Sequence, residues 1–285
     1  MIVTDSGVHV WGPGNVWLPG RKPHLTTPLD YERFRTMMAE AGVHRAILVP
    51  PSWPGDLNDY CLAAAAAHPD QFAVMGRLAL DAPESRERLR HWTEQPGMLG
   101  VRLTLHHAWD EGWVRDGTAD WFWEAAEELR IPVMMNAPTI LPELGEVARR
   151  HPDLTLIIDH MGVRTGTKDE AIEDAVHGLE AVAEHPNMHV KFTQVPARST
   201  QPYPYRNLHP YLRRLVDAFG PQRTFWGSEA SVLLSRTDCS YVDNVRLFTE
   251  ELDFLTADDL EWVMGKGLAQ ALPWPVSPRL AARTR

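Results

Sequence analysis

The feature that most constrains the fold of this chain is a regular alternation of short apolar runs with longer amphipathic stretches. Eight apolar runs recur along the sequence, and each is followed by a stretch with helical periodicity. This rhythm is typical of consecutive βα units, which form a parallel sheet. The run at residues 154–158 (LTLII) is almost continuously apolar, as expected of a strand buried on both faces. The predicted strands span residues 2–10, 46–49, 72–80, 99–105, 132–136, 154–159, 188–193 and 224–227.

Eight βα units predict a single-domain α/β fold, the (β/α)8 TIM barrel, with an extra helix over residues 257–272. We predict that the barrel occupies residues 1–275 and that residues 276–285 form an irregular C-terminal tail. The active site of such a barrel lies at the carboxyl ends of the strands, where the βα loops meet. Polar side chains at those ends are therefore the first candidates for function.

Composition and charge exclude several classes of protein. Hydrophobic residues make up 44% of the chain and charged residues 23%, which is ordinary for a folded globular protein. A net charge of −10 disfavours nucleic acid as a partner, and no apolar run is long enough to cross a membrane. No signal-peptide pattern is present, and Cys61 and Cys239 form no metal-binding pair. We predict a cytoplasmic protein with a small-molecule partner; exposed helix faces leave a homodimer open.

The first predicted strand ends in an Asp-x-Gly-x-His pattern, from Asp5 to His9. Residues two apart on a strand point to the same side, so Gly7 stands where a second side chain could join that of His9. Glycine offers no metal ligand. Other predicted strand ends carry Arg77, Arg102, Thr104, His106, Asn136, Asp159, His160, Lys191, Thr193, Ser228 and Glu229.

Four segments at these strand ends carry a resemblance to a known family. They are residues 4–11 (TDSGVHVW), 100–103 (GVRL), 158–162 (IDHMG) and 226–229 (WGSE). The pattern resembles the amidohydrolase superfamily, and specifically its amidohydrolase-2 branch of TIM-barrel hydrolases. That branch contains sugar-acid and pyrone lactonases as well as aromatic acid decarboxylases. The resemblance implies an enzyme of the amidohydrolase type.

The sequence departs from the family at three metal-ligand positions. The family pattern has a histidine at the place of Gly7, often a histidine at the place of Asn136, and an aspartate at the place of Glu229. The resemblance then leaves His9, His160 and Glu229 as a ligand set for a single divalent ion such as zinc. Because half of the paired anchor on the first strand is lost, we favour an enzyme without a cofactor, with a zinc site as the alternative.

Glu229 is our candidate general base, because a carboxylate at a barrel mouth can activate water. His9 and His160 would stabilise the developing oxyanion as imidazolium ions, or share one metal ion. Asp5 would be an electrostatic partner of His9. These four residues are the predicted catalytic group.

Five further residues are predicted to bind substrate. Arg102, helped by Lys191, would bind a carboxylate, although an internal ion pair with Asp5, Asp159 or Glu229 is the alternative for the arginine. Arg77 has the same two interpretations, and Asn136 could donate a hydrogen bond. Trp53, together with Trp17, Trp109 and Trp113, could form an aromatic wall, or simply pack within the loops.

The resulting hypothesis is a hydrolase of a lactone or a similar cyclic ester of a small organic acid, working without metal. Three alternatives stay open from the sequence: a non-oxidative decarboxylase of an aromatic acid, a metal-independent lactone isomerase, and a barrel that binds a ligand without catalysis.

Overall fold

The backbone is a parallel eight-stranded barrel whose strands follow one another in sequence order. The computed structural model describes residues 1–106 and 108–283, with side chains except at 107–111, 279 and 283. The predicted (β/α)8 fold is confirmed. The strands are β1 Thr4–Val8, β2 Arg45–Leu48, β3 Phe72–Gly76, β4 Met98–Thr104, β5 Val133–Asn136, β6 Leu156–Ile158, β7 Met188–Phe192 and β8 Thr224–Trp226.

Helices surround the strands on the outside. They are α1 Tyr31–Glu40, α2 Asp59–Ala67, α3 Ser85–Arg90, α4 Ala108–Arg115, α5 Asp120–Glu128, α6 Leu141–Arg150, α7 Glu173–Val182, α8 His209–Phe219, α9 Ala230–Arg236, α10 Tyr241–Arg246, α11 Ala257–Glu261, α12 Gly267–Ala271 and α13 Pro278–Arg283. Within the described residues, none of them is both long and apolar enough to span a membrane.

Several elements differ from the sequence-based expectations. Six of the eight strands are shorter than predicted, whereas β2 and β4 have the predicted length and begin one residue earlier. Helices α4 and α9 are additional, and α13 lies in the segment for which the sequence predicts irregular chain. The predicted helix over 257–272 is interrupted by a π-helical turn in which Gly265 leaves helical geometry. A Cβ at Gly265 would lie 2.3 Å from the carbonyl oxygen of Ile2, so glycine allows this turn to pack against the start of β1.

Two apolar layers hold the barrel together. A large cluster fills the space between the strands and the helices, and a smaller one fills the barrel interior. The interior cluster includes Ile47, Met134, Ile157 and Phe225, and Leu268 of α12 closes it at the amino-terminal end. The polar side chains are thereby left to the carboxyl end.

The seam between β1 and β8 is closed largely by a side chain. The backbone N–H of Glu229 donates to the carbonyl of Gly7 at 3.1 Å. The N–H of Ser228 donates instead to Oδ1 of Asp5 at 2.9 Å, and the Ser228 hydroxyl donates to Oδ2 at 2.5 Å. At this seam the carboxylate of Asp5 therefore accepts a hydrogen bond of the kind that a backbone carbonyl accepts at the other strand pairs.

Candidate active site

A cavity of about 350 Å³ opens at the carboxyl ends of the strands. Six of the nine predicted site residues line it: His9, Trp53, Arg77, Arg102, Asn136 and His160. The other three, Asp5, Lys191 and Glu229, lie behind this lining and are at most 3% exposed. The carboxyl ends of the strands thus supply part of the cavity lining, as the sequence predicts, and three predicted residues lie deeper.

Arg102, Asp159 and Lys191 form a buried ion cluster under the cavity. Arg102 donates from Nε to Oδ2 of Asp159 at 3.0 Å, and Nζ of Lys191 lies 2.8 Å from Oδ1. Burial alone raises the pKa of Asp159, but the charges of Lys191 and Arg102 outweigh burial and hold this pKa below its usual range. One carboxylate therefore faces two cations. Of the three partners left open for Arg102, the structure selects Asp159.

Arg77, which directly follows β3, is a third cation next to this ion cluster. Its Nε donates to Oδ1 of Asp56 at 3.0 Å, and its Nη1 donates to Oγ1 of Thr104 at 3.0 Å. Arg102 donates to the same Thr104 oxygen. Burial and the charge of Arg102 lower the pKa of Arg77 to about 10, which leaves the guanidinium protonated at neutral pH. Both arginines thus have internal partners and still line the cavity.

Glu229 is a buried carboxylate that faces His9 at the cavity wall. Its Oε2 lies 3.7 Å from Nε2 of the histidine. Nδ1 of His9 lies 2.7 Å from the carbonyl of Val49, and because a carbonyl only accepts, Nδ1 carries the proton and Nε2 offers a lone pair. Burial and the charge of Arg102 lower the pKa of His9 to about 3, whereas burial raises the pKa of Glu229. With Glu229 ionised both atoms are acceptors, and a water molecule beside them can donate to each.

The backbone fixes the orientation of Glu229. This residue is in the left-handed region, with φ 48° and ψ 55°, directly before α9. Such a conformation costs a non-glycine residue about 1–3 kcal/mol and is typical of functional positions. The turn aims the carboxylate inward and away from the path of β8.

His24 and Ser231 connect Glu229 to the cavity rim. The Ser231 hydroxyl donates to Oε1 of Glu229 at 3.1 Å, and Nδ1 of His24 lies 2.9 Å from the same hydroxyl oxygen. With Glu229 ionised, the proton on Nδ1 of His24 completes a chain of donors that ends on the carboxylate. Burial and the neighbouring His9 lower the pKa of His24 to about 4.

Hydrogen bonds assign one tautomer to His160. Nη2 of Arg198 can only donate, and it lies 2.9 Å from Oε1 of Gln194. The amide nitrogen of Gln194 therefore faces Nε2 of His160, at 3.3 Å, and that nitrogen accepts. The proton is then on Nδ1, which lies 2.6 Å from Oγ1 of Thr193.

The expectation that His9 and His160 act as imidazolium ions is wrong. Burial lowers the pKa of both side chains far below neutrality, and the charge of Arg102 lowers each of them further. Both rings are therefore neutral at pH 7. The positive charge near the cavity comes from arginine and lysine instead.

Asp5 is tied to the barrel seam by four donors. Oδ1 accepts from the N–H groups of Gly7 and Ser228, and Oδ2 accepts from the hydroxyls of Ser228 and Tyr241. Burial raises the pKa of Asp5, and these donors oppose that effect. The expected pairing with His9 is replaced by this network, because the carboxylate turns towards β8.

Tyr241→Phe should destabilise the protein by about 1.5–3 kcal/mol, the usual worth of a hydrogen bond to a charged group. The Tyr241 hydroxyl is buried and donates to Oδ2 of Asp5 at 3.0 Å. Urea unfolding measures the loss. Tyr203→Phe, at a partly exposed ring, is the matched control and should change little. Equal losses in the two variants would contradict the role given to the Tyr241 hydroxyl.

The predicted metal ligands are not grouped around one point in the described residues. Within the described part of the chain, no three His, Cys, Asp or Glu side chains form a group that could hold a metal ion. The predicted set of His9, His160 and Glu229 is not such a group, and Nε2 of His160 accepts a hydrogen bond from Gln194. Asn136 in turn contacts His106, at 3.2 Å between Nδ2 and Nδ1.

Of the four tryptophans predicted to form an aromatic wall, Trp53 is the one found in the cavity lining among the described side chains. Trp53 lines the cavity, with its ring centroid 4.7 Å from that of His24. Trp17 and Trp11 pack against Trp53 from behind, at 5.7 and 5.0 Å between centroids. Trp113 packs against the outer apolar cluster. The side chain of Trp109, like the whole of residue 107, lies outside the described residues.

Sequence reasoning missed His24, Ser231, Gln194 and Arg198. Gln194 directly follows a predicted strand end, so extending that rule by one residue would have found it. The other three lie in loops or helices after the strands, where residue type alone does not distinguish a site residue from a surface one.

Comparisons with known proteins agree with this geometry. The sequence profile of the amidohydrolase family matches residues 4–266, so the chain belongs to that family. The assignment made from the sequence is confirmed.

Two curated relatives are similar over most of the chain. An L-fucono-1,5-lactonase from Burkholderia ambifaria is 26% identical over 233 residues, which cover 79% of each protein. A 2-pyrone-4,6-dicarboxylate hydrolase from Comamonas testosteroni is 24% identical over 235 residues, which cover 79% of this chain and 75% of the relative. A Burkholderia multivorans amidohydrolase crystallised with bound zinc shares the fold, with a TM-score of 0.81 and 23% identity over 96% of this chain and 100% of that one.

Proposed function

We propose that the protein hydrolyses a lactone that carries at least one carboxylate, without a metal ion and with Glu229 as general base. The observation that carries this proposal is the juxtaposition of Glu229 with His9 beside a strongly cationic cavity. The two relatives are named as a lactonase and as a hydrolase of a pyrone dicarboxylate, and both names describe ring-opening of cyclic esters.

Charge at the cavity favours an anionic substrate. Among the described residues, Arg21, Lys22, Arg77, Arg102 and Arg236 line it, and no Asp or Glu does. Arginine binds carboxylates with paired hydrogen bonds, so this lining suits a small organic acid. A carboxylated lactone suits this lining better than a neutral sugar lactone does.

The chemistry begins with water held between Glu229 and His9. Ionised Glu229 accepts a proton from the water while the oxygen attacks the lactone carbonyl carbon. In this scheme Arg102 and Nδ2 of Asn136, which both line the cavity, stabilise the negative charge that develops on the carbonyl oxygen. When the ring C–O bond breaks, Glu229 returns the proton to the leaving oxygen, which yields the open hydroxy acid.

A panel of lactones tests the proposal, with carboxylated lactones and pyrones compared with neutral sugar lactones. We expect ring opening of carboxylated members, unchanged after dialysis against EDTA. Turnover abolished by EDTA and restored by zinc would contradict the metal-free mechanism. Release of carbon dioxide from aromatic acids, isomerisation without hydrolysis, or ligand binding without turnover would each replace the proposal with the corresponding alternative.

The pH dependence of kcat/KM should show an acid limb set by Glu229. Burial raises the pKa of this carboxyl above the ordinary glutamate value of 4.5, and only the ionised form accepts a proton from water. Activity should therefore rise as pH increases through that raised pKa. His9 titrates near pH 3 and does not add a second limb around neutrality. An acid limb at or below pH 4.5 would contradict this assignment.

A further inference from the structure

Gly7 and Lys191 occupy complementary space inside the barrel. A Cβ added at Gly7 would lie 2.6 Å from Nζ of Lys191 and 3.3 Å from its Cε. Real Cβ contacts are not that short, so a side chain at position 7 and the lysine side chain in its present place exclude each other.

The ammonium group cannot easily move aside. Lys191 is 1% exposed, and its Nζ is held 2.8 Å from Oδ1 of Asp159 and 3.7 Å from Sδ of Met134. Displacing it would break a buried ion pair and leave the carboxylate of Asp159 to Arg102 alone. The missing side chain at position 7 is therefore a requirement of the buried lysine.

We propose that Lys191 is a built-in cation of this barrel, and that Gly7 is the residue that makes room for it at the expense of a metal site. Position 7 lies two residues before His9 on β1, so a ligand at position 7 would act with His9 only where the ammonium now sits. The ammonium group of Lys191 and a metal-binding side chain at position 7 would occupy the same space, and in this chain the lysine occupies it. The inference deepens the metal-free part of the proposed function and is independent of the substrate.

A double-mutant cycle on stability tests the shared space without any substrate. Gly7→Ala should lower the urea midpoint clearly in the wild-type background and little in the Lys191→Ala background, because the shortened residue 191 no longer meets the new Cβ. Gly12→Ala is the matched control, since its Cβ would lie 2.6 Å from Cε2 of Tyr60. Its midpoint shift should be the same in both backgrounds. Equal shifts for Gly7→Ala in the two backgrounds would overturn the proposal.

Zinc binding tests the competition with a metal. The wild type, Lys191→Ala and the double variant Gly7→His/Lys191→Ala are titrated with Zn²⁺ alone by calorimetry, after circular dichroism has established that each is folded. We expect zinc affinity in the double variant at least tenfold above that of both other proteins, with one ion per chain. One tightly bound zinc in the wild type, or no gain in a folded double variant, would overturn the proposal. If the double variant does not fold, the double-mutant cycle on stability still tests whether position 7 and Lys191 share one space.

Failure of the proposed function is recognised separately. Absence of lactone hydrolysis leaves both the stability cycle and the zinc titration unaffected, because neither measures turnover.

Discussion

Glu229→Gln should lower kcat/KM on a carboxylated lactone by about 10³-fold, within the 10²–10⁴-fold range of general-base catalysis. Glutamine keeps the length of the side chain, accepts the Ser231 hydrogen bond through its oxygen, and tolerates the same left-handed backbone. What it loses is the ability to take a proton from water. The variant should therefore fold normally and bind substrate with little change in KM. Steady-state kinetics on purified protein measure the effect.

Two companion variants sharpen this test. Glu124→Gln, at an exposed position on α5, should leave activity unchanged. Glu229→Asp keeps the base but withdraws it by one methylene from Nε2 of His9, so its activity should lie between those of the wild type and Glu229→Gln. A Glu229→Gln protein with more than a tenth of wild-type activity would mean that another group accepts the proton.

Asp159→Asn should reduce the free energy of unfolding by about 3–5 kcal/mol, the cost of removing one partner from a buried ion pair. Asp159 is the carboxylate between Arg102 and Lys191, and all three side chains are at most 4% exposed. The substitution keeps the shape but leaves two buried cations without their counter-charge. Urea unfolding at neutral pH measures the loss. A loss below 1 kcal/mol would contradict the view of this cluster as a tightly paired unit.

A surface pair and a pH series are the controls for this prediction. Glu146→Gln breaks a pair with Arg149 in which both side chains are at least half exposed, so less than about 1 kcal/mol should be lost. The folded-state pKa of Asp159 is depressed below its ordinary value of 3.8, so its contribution is fully present above that value and is lost as pH falls through the folded-state pKa. The difference between wild type and Asp159→Asn should accordingly shrink in strong acid.

The sequence predicted the barrel because the two periodicities are local properties of the chain. It also predicted six residues that line the cavity, since parallel strands bring their carboxyl ends to one face. It could not choose the partner of Arg102 among Asp5, Asp159 and Glu229. That choice depends on the angle of each side chain around the barrel axis and on backbone turns. The left-handed conformations of His160 and Glu229 show no periodic signal.

The neutral state of His9 and His160 was also beyond the sequence. An ordinary histidine pKa near neutrality leaves both charge states accessible, and burial together with the neighbouring Arg102 lowers the pKa of both rings. The role of Asp5 was missed for a related reason. The position of Asp5 on a strand suggests a site residue. Its structural role becomes visible only when β8 is known to be the neighbour of β1, because Ser228 then donates to its carboxylate.

The seam between the first and last strands has a consequence for the order of events during synthesis. Asp5 and Ser228 are separated by 223 residues, and Tyr241 lies 236 residues from Asp5. Three of the four donors therefore leave the ribosome long after the acceptor does. The seam therefore cannot be completed until β8 and α10 have been synthesised, and ring closure is a long-range step that makes folding slow.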